Sequence, residues 1–158
     1  MLTDAGFCHP VHDFVSRRIA DKRNIFDKIS TFQYRYTHQG QLSLSMILGQ
    51  GGPYGVNHAD ELFLMFSPIG GQKIILNDED QQMSDILLAL WKSFVKTGNP
   101  STNSITWDPI KSALSRKYLN LNLTPLMEYP NETRANMEFW DNLIPDLEQI
   151  RETTSNCG

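Results

Sequence analysis

The chain has 158 residues, 40% hydrophobic and 20% charged, with a formal net charge of −4 at pH 7. That length supports one ordinary domain with its own core, and the mild acidity points away from nucleic acid or an anionic membrane as partner. No apolar run reaches the roughly 18 residues that read as a membrane-spanning helix, so no transmembrane segment is expected.

Pro10 to Lys22 reads as the first helix. Val11, Phe14, Val15 and Ile19 recur at helical spacing, and Pro10 is tolerated in a first turn. Arg17, Arg18 and Lys22 fall mainly outside that stripe and read as a solvated face. Thr31 to Thr37 alternates large and polar side chains and is rich in aromatic and β-branched residues. It reads as a strand with Phe32, Tyr34 and Tyr36 on one face. Leu42 to Leu48 fits either a strand or an irregular loop.

Gly51-Gly52-Pro53-Tyr54-Gly55 then delivers His58, followed by Asp60, Glu61 and the apolar run Leu62 to Phe66. Glycine and proline let such a loop bend sharply, and a loop on a rigid scaffold is where a working imidazole is often presented. The plainer alternative is a structural histidine, with Asp60 and Glu61 complementing a helix dipole. Leu62 to Phe66 reads as a short helix.

Asp78 to Thr97 is the clearest helix. Met83, Ile86, Leu87, Leu90, Trp91, Phe94 and Val95 follow the i, i+3, i+4 pattern. Acidic residues crowd its start, Lys92 and Lys96 lie near its end, Gly98 takes the C′ position and Pro100 terminates it. Ser101 to Ser115 is loop-rich. Lys117 to Leu123 alternates and reads as a second strand. Asn131 to Ile150 reads as a closing helix kinked at Pro145, with Met137, Trp140, Leu143 and Ile144 towards the core. Two strands are few for so many amphipathic helices, because an apolar stripe must be buried against another layer. The count suggests a fragment whose partner layers lie elsewhere.

Cys8 and Cys157 sit near opposite ends, and no Cys/His spacing resembles a zinc site. No motif calls for a metal or an organic cofactor. Asn122-Leu123-Thr124 and Asn131-Glu132-Thr133 match the glycosylation sequon, which leans towards a secretory origin. Met1 to Gly6, by contrast, has neither a basic n-region nor an apolar h-region.

Several stretches together resemble the C-terminal part of the type-B carboxylesterase/cholinesterase family, serine esterases of the α/β-hydrolase fold, with an insect-esterase flavour. Gly55-Val56-Asn57-His58-Ala59-Asp60-Glu61-Leu62 is similar to the family's Gly-x-x-His-(Gly/Ala)-x-Glu segment. Trp91 to Pro100 looks like its segment ending in Thr-Gly-Asn-Pro. Trp107-Asp108-Pro109, Tyr118 to Leu121 and Phe139-Trp140-Asp141 resemble its late turn, final strand and closing helix. The match runs in family order from about Asp4 to Leu147.

The resemblance implies an α/β fold, specifically a C-terminal fragment of an α/β-hydrolase with few strands and several amphipathic helices. Residues 1–150 would form the C-terminal portion of a type-B carboxylesterase domain, and 151–158 a flexible tail. It implies that His58 is the triad histidine, acting as general base and then acid on a small-molecule carboxylic ester. Glu61 would support the loop; the triad acid comes from an earlier strand in the family. No Gly-x-Ser-x-Gly elbow and no glycine-rich oxyanion loop occur here. Ser43, Ser45 and Ser67 lie in no such context. In α/β-hydrolases the triad runs Ser, then Asp or Glu, then His, so a histidine-only piece is what a C-terminal segment would hold.

The chain alone is therefore expected to be inactive, and to be poorly stable with its helix stripes uncovered. The missing N-terminal part of the domain is its expected partner. Cys8 falls where some cholinesterases begin a late disulfide, but the matching position is Met137. The competing reading is a non-catalytic adhesion protein of the same family. By resemblance the parent protein would be extracellular.

Overall fold

A computed structural model describes residues 4–20, 29–47, 49, 55–66, 75–112, 116–130 and 137–143. They fall into two compact units: 30–110 with 117–129 form one, and the terminal stretches with 111–116 form the other.

The larger unit is built on a three-stranded sheet in the order β1-β2-β3. β1 (Tyr34–Tyr36) runs parallel to β2 (Tyr118–Leu121), with Tyr34 opposite Leu119 and Tyr36 opposite Leu121. β3 (Leu126–Glu128) is antiparallel to β2, with Tyr118 opposite Glu128. The ladder extends by one bond at each end of β1: Leu119 N–H donates to the Gln33 carbonyl and Thr37 N–H to that of Leu121, both at 2.9 Å. Parallel strands need a crossover. Here it carries helices α2 (Leu44–Ile47), α3 (Leu62–Met65) and α4 (Asp78–Thr97).

α4 starts and ends where local chemistry dictates. The Asn77 side chain accepts from Asp80 N–H at 2.8 Å, and Gly98 closes the helix in the left-handed region at φ 73°. Its inner stripe, Met83, Leu87 and Leu90, is fully buried against Leu64, Trp107, Leu119 and Leu121. Trp107 is ringed by Phe32, Tyr34 and Trp91 at centroid distances of 5.9–6.1 Å, and its indole N–H donates to the Gln33 carbonyl. Phe32, Tyr34 and Tyr36 do share the face towards this cluster. The Thr-Gly-Asn-Pro turn is a backbone lock. Asn99 Oδ1 accepts from Ser101 N–H, and Ser101 Oγ accepts from Trp107 N–H at 2.9 Å.

The elements differ from the sequence reading in defined ways. Within the stretch Leu42 to Leu48, residues 44–47 form the short helix α2 rather than a strand. The second strand is shorter than the alternating stretch, and β3 follows it unforeseen. Phe94 and Val95 stay exposed, Val95 by 82%, although both fit the apolar pattern of α4. At 100° per residue Val95 lies about 140° round from Leu90, and Phe94 meets Phe32 edge-on at 6.0 Å.

The smaller unit opens with a π-helical turn (Asp4–Cys8) that runs into helix α1 (His9–Ala20). Val15 and His9 are buried, but Val11 and Phe14 are exposed, so only part of the expected stripe is covered. Arg17 lies on the solvated face, where its Nε donates to Asp13 at 2.8 Å and holds that carboxyl below its usual range. Residues 137–143 are helical, Met137 is buried, and His9 Nε2 lies 2.8 Å from Asp141 Oδ1. The expected kink at Pro145, the tail from residue 151, Ser67 and Cys157 lie outside the described residues.

Candidate active site

His58 opens a tight turn, residues 58–61, that leads directly into α3. Its side chain is exposed. The turn is closed by Leu62 N–H donating to the Ala59 carbonyl at 3.1 Å and Asp60 N–H to that of Asn57 at 3.3 Å. Ala59 takes φ 72°, the one positive value among the described non-glycine residues. A Cβ in that region costs about 1–2 kcal/mol, so glycine would suit this position with less strain. Strain of this kind persists only where the surroundings hold it.

What holds it is Asp60. This carboxylate is 6% exposed. Oδ2 accepts from Asn57 N–H and Oδ1 from Leu44 N–H, both at 2.8 Å. One side chain thus clamps the residue before His58 to the start of α2. Asn57 strengthens the junction: its Nδ2 donates to Ser43 Oγ at 2.7 Å and Ser45 Oγ at 3.0 Å. Both serines are buried, so they brace the loop. The Asp60 oxygens thus serve two backbone amides, one of them at the first residue of α2. The signal was present as the Asn-x-x-Asp spacing, which mirrors a capping box. The second partner, Leu44, is 16 residues away and carries no such mark.

Glu61 ties the turn to the sheet. Tyr34 on β1 donates its hydroxyl to Glu61 Oε1 at 3.3 Å. Partial burial, reinforced by the Glu61 charge, pushes the Tyr34 hydroxyl up to about 12. Burial raises Tyr36 as well, and Asp80, Glu61 and Asp60 add to it. On the other side of the turn, α3 is pinned to α4 where Ser84 Oγ donates to the Leu64 carbonyl at 2.6 Å.

A second polar centre was not foreseen. His38 Nε2 lies 2.7 Å from Asp80 Oδ1, and both side chains are buried. Asp80 Oδ2 accepts from Gln41 N–H at 2.9 Å. A Cβ on Gly40 would fall 2.9 Å from Asp80 Oδ1, so any larger residue there would have to displace the carboxylate. The pair fixes the exit of β1 to the first turn of α4. Among the described residues, no group of three or more His, Cys, Asp or Glu side chains could hold a metal ion. No described helix is long and apolar enough to cross a membrane.

The model of the carboxylesterase family matches residues 1–140. Rabbit cocaine esterase (Oryctolagus cuniculus) is 24% identical over 155 residues, covering 97% of this chain and 27% of that protein. Venom carboxylesterase-6 of Apis mellifera is 28% identical over 118 residues, covering 72% of this chain and 21% of that one. Among solved structures, a PNB esterase superposes with a TM-score of 0.52 at 26% identity, over 68% of this chain and 21% of that one. The juvenile hormone esterase of Manduca sexta shares the fold at a TM-score of 0.57, over 72% and 22% respectively. The chain thus spans at most 27% of the length of these relatives. A family match over residues 1–140, with α/β-hydrolase esterases as structural neighbours, means that this chain belongs to the carboxylesterase family.

Proposed function

We propose that this chain is the C-terminal segment of a serine carboxylic ester hydrolase and that His58 is its general base and acid. His58 would take the proton of a serine hydroxyl as it attacks the ester carbonyl. It would then pass that proton to the leaving alcohol. The observation that carries this reading is the braced turn: strained backbone at Ala59, a buried clamp at Asp60, and an exposed imidazole between Asn57 and Ala59.

In this reading residues 1–150 complete a type-B carboxylesterase domain whose nucleophile, acid and oxyanion donors come from a preceding segment. Glu61 supports the turn through Tyr34. The substrate class is a small-molecule carboxylic ester, and the parent protein is extracellular, in line with a relative named for venom. By itself the chain would lack the groups that supply most of the acceleration.

The test is His58→Gln in the full-length protein, assayed with a chromogenic acetate ester. Removing one member of a triad costs roughly 10⁴- to 10⁶-fold in kcat. A loss of that size with the fold retained supports the assignment. Activity within tenfold of the parent overturns it. A parent protein that binds esters but never cleaves them would favour the non-catalytic adhesion reading.

A further inference from the structure

We infer that Asn122 is an N-glycosylation site and that the β2–β3 turn presents it. The inference rests on the extracellular reading above. The tripeptide Asn122-Leu123-Thr124 carries the required hydroxyl two residues on. It lies in the bend that follows β2. Leu119 and Leu121 are fully buried and Leu123 packs on the same core cluster. Asn122 itself is half-buried and Thr124 is exposed.

The turn also prepares the amide. Asn122 Oδ1 accepts from Thr124 N–H at 2.8 Å, an Asx-turn that folds the acceptor and the hydroxyl residue towards one side. Among the described residues this is the only hydrogen bond of the Asn122 side chain, so Nδ2 keeps its hydrogens for an incoming group. Space is available beside it. Thr37, His38 and Gln39 face Asn122, Leu123 and Thr124 across an open cleft of about 370 Å³. The other sequon, at Asn131, lies outside the described residues.

The transfer balances without a redox partner. Nδ2 forms a bond to the anomeric carbon of an oligosaccharide carried on a lipid diphosphate. The bond from that carbon to the diphosphate oxygen breaks, and the diphosphate leaves with the electron pair. One Nδ2 proton passes to a base of the transferase.

The test expresses the full chain in insect cells behind an appended secretion signal, with one engineered acceptor tripeptide at the C-terminus. Glycosylation of that added tripeptide reports delivery to the lumen, independently of the native address. The readout is the mobility shift on N-glycosidase F in molecules where the added acceptor is occupied. The Asn131→Gln variant should keep one further glycan, and Asn122→Gln combined with Asn131→Gln should lose it. Thr124→Ala should also lose it, whereas Thr124→Ser should retain it. An Asn131→Gln chain glycosylated only on the added tripeptide would overturn the proposal. Esterase assays of His58 variants are unaffected by this outcome, so failure of one reading is distinct from failure of the other.

Discussion

Replacing Asp60 by alanine should loosen the His58 turn without unfolding the core. The side chain is 6% exposed and accepts two backbone N–H groups, from Asn57 and Leu44, at 2.8 Å each. Hydrogen bonds to a charged acceptor contribute about 1.5–3 kcal/mol apiece. The two are lost together, and the freed amides regain some hydration, so a local cost of about 3 kcal/mol is expected rather than the full sum. At about 1.4 kcal/mol per decade this is roughly a hundredfold in opening equilibrium.

Native-state hydrogen exchange reads it directly. Asn57 and Leu44 amides should exchange roughly a hundredfold faster, while α4 amides such as Leu87 N–H serve as the reference. Asp60→Asn should fall between, since it keeps one acceptor and turns a donor towards the other amide. Protection at Asn57 and Leu44 within twofold of the parent would refute the clamp.

Other outcomes follow from single contacts. Tyr34, held neutral to about pH 12 by partial burial and Glu61, should ionise later than an ordinary tyrosine in a spectrophotometric titration, and Glu61→Gln should bring it down. Because the folded value lies above the unfolded one, this stabilisation is complete below about pH 10 and is lost as pH rises towards about 12. Gly40→Ala should push the Asp80 carboxylate from His38 and lower the melting temperature, because the new Cβ would lie 2.9 Å from Oδ1. Leu87→Ala, at a fully buried position, should cost about 2–5 kcal/mol in denaturant unfolding. An unchanged midpoint would contradict the packing described. Gly98→Ala, at φ 73°, should cost about 1 kcal/mol in the same assay.

Much of the larger unit was legible before any coordinates. α4 came out at the residues expected, Asp78 to Thr97, because its caps and its apolar period are both local signals. α3 appeared where the apolar run after His58 put it. The first helix was legible over the described residues His9–Ala20, but its burial was not. Periodicity says which side chains share a face, and Phe14 at 62% exposure shows that it does not say whether the face is covered.

His58 and its motif were visible in the sequence, and so was the family, since both rest on residue order along the chain. What holds the histidine turn was not. Asp60 reaches Leu44, Tyr34 reaches Glu61 and His38 reaches Asp80, pairs separated by 16, 27 and 42 residues. Those bonds exist only because the crossover folds back and sets β1 beside β2. The sequence alone determined local elements and chemical types, since short-range sterics, capping and hydrophobic period act within a few residues. Only the tertiary structure decided which buried carboxylate clamps which loop, because hydrogen bonds over long sequence separation depend on the path of the whole chain.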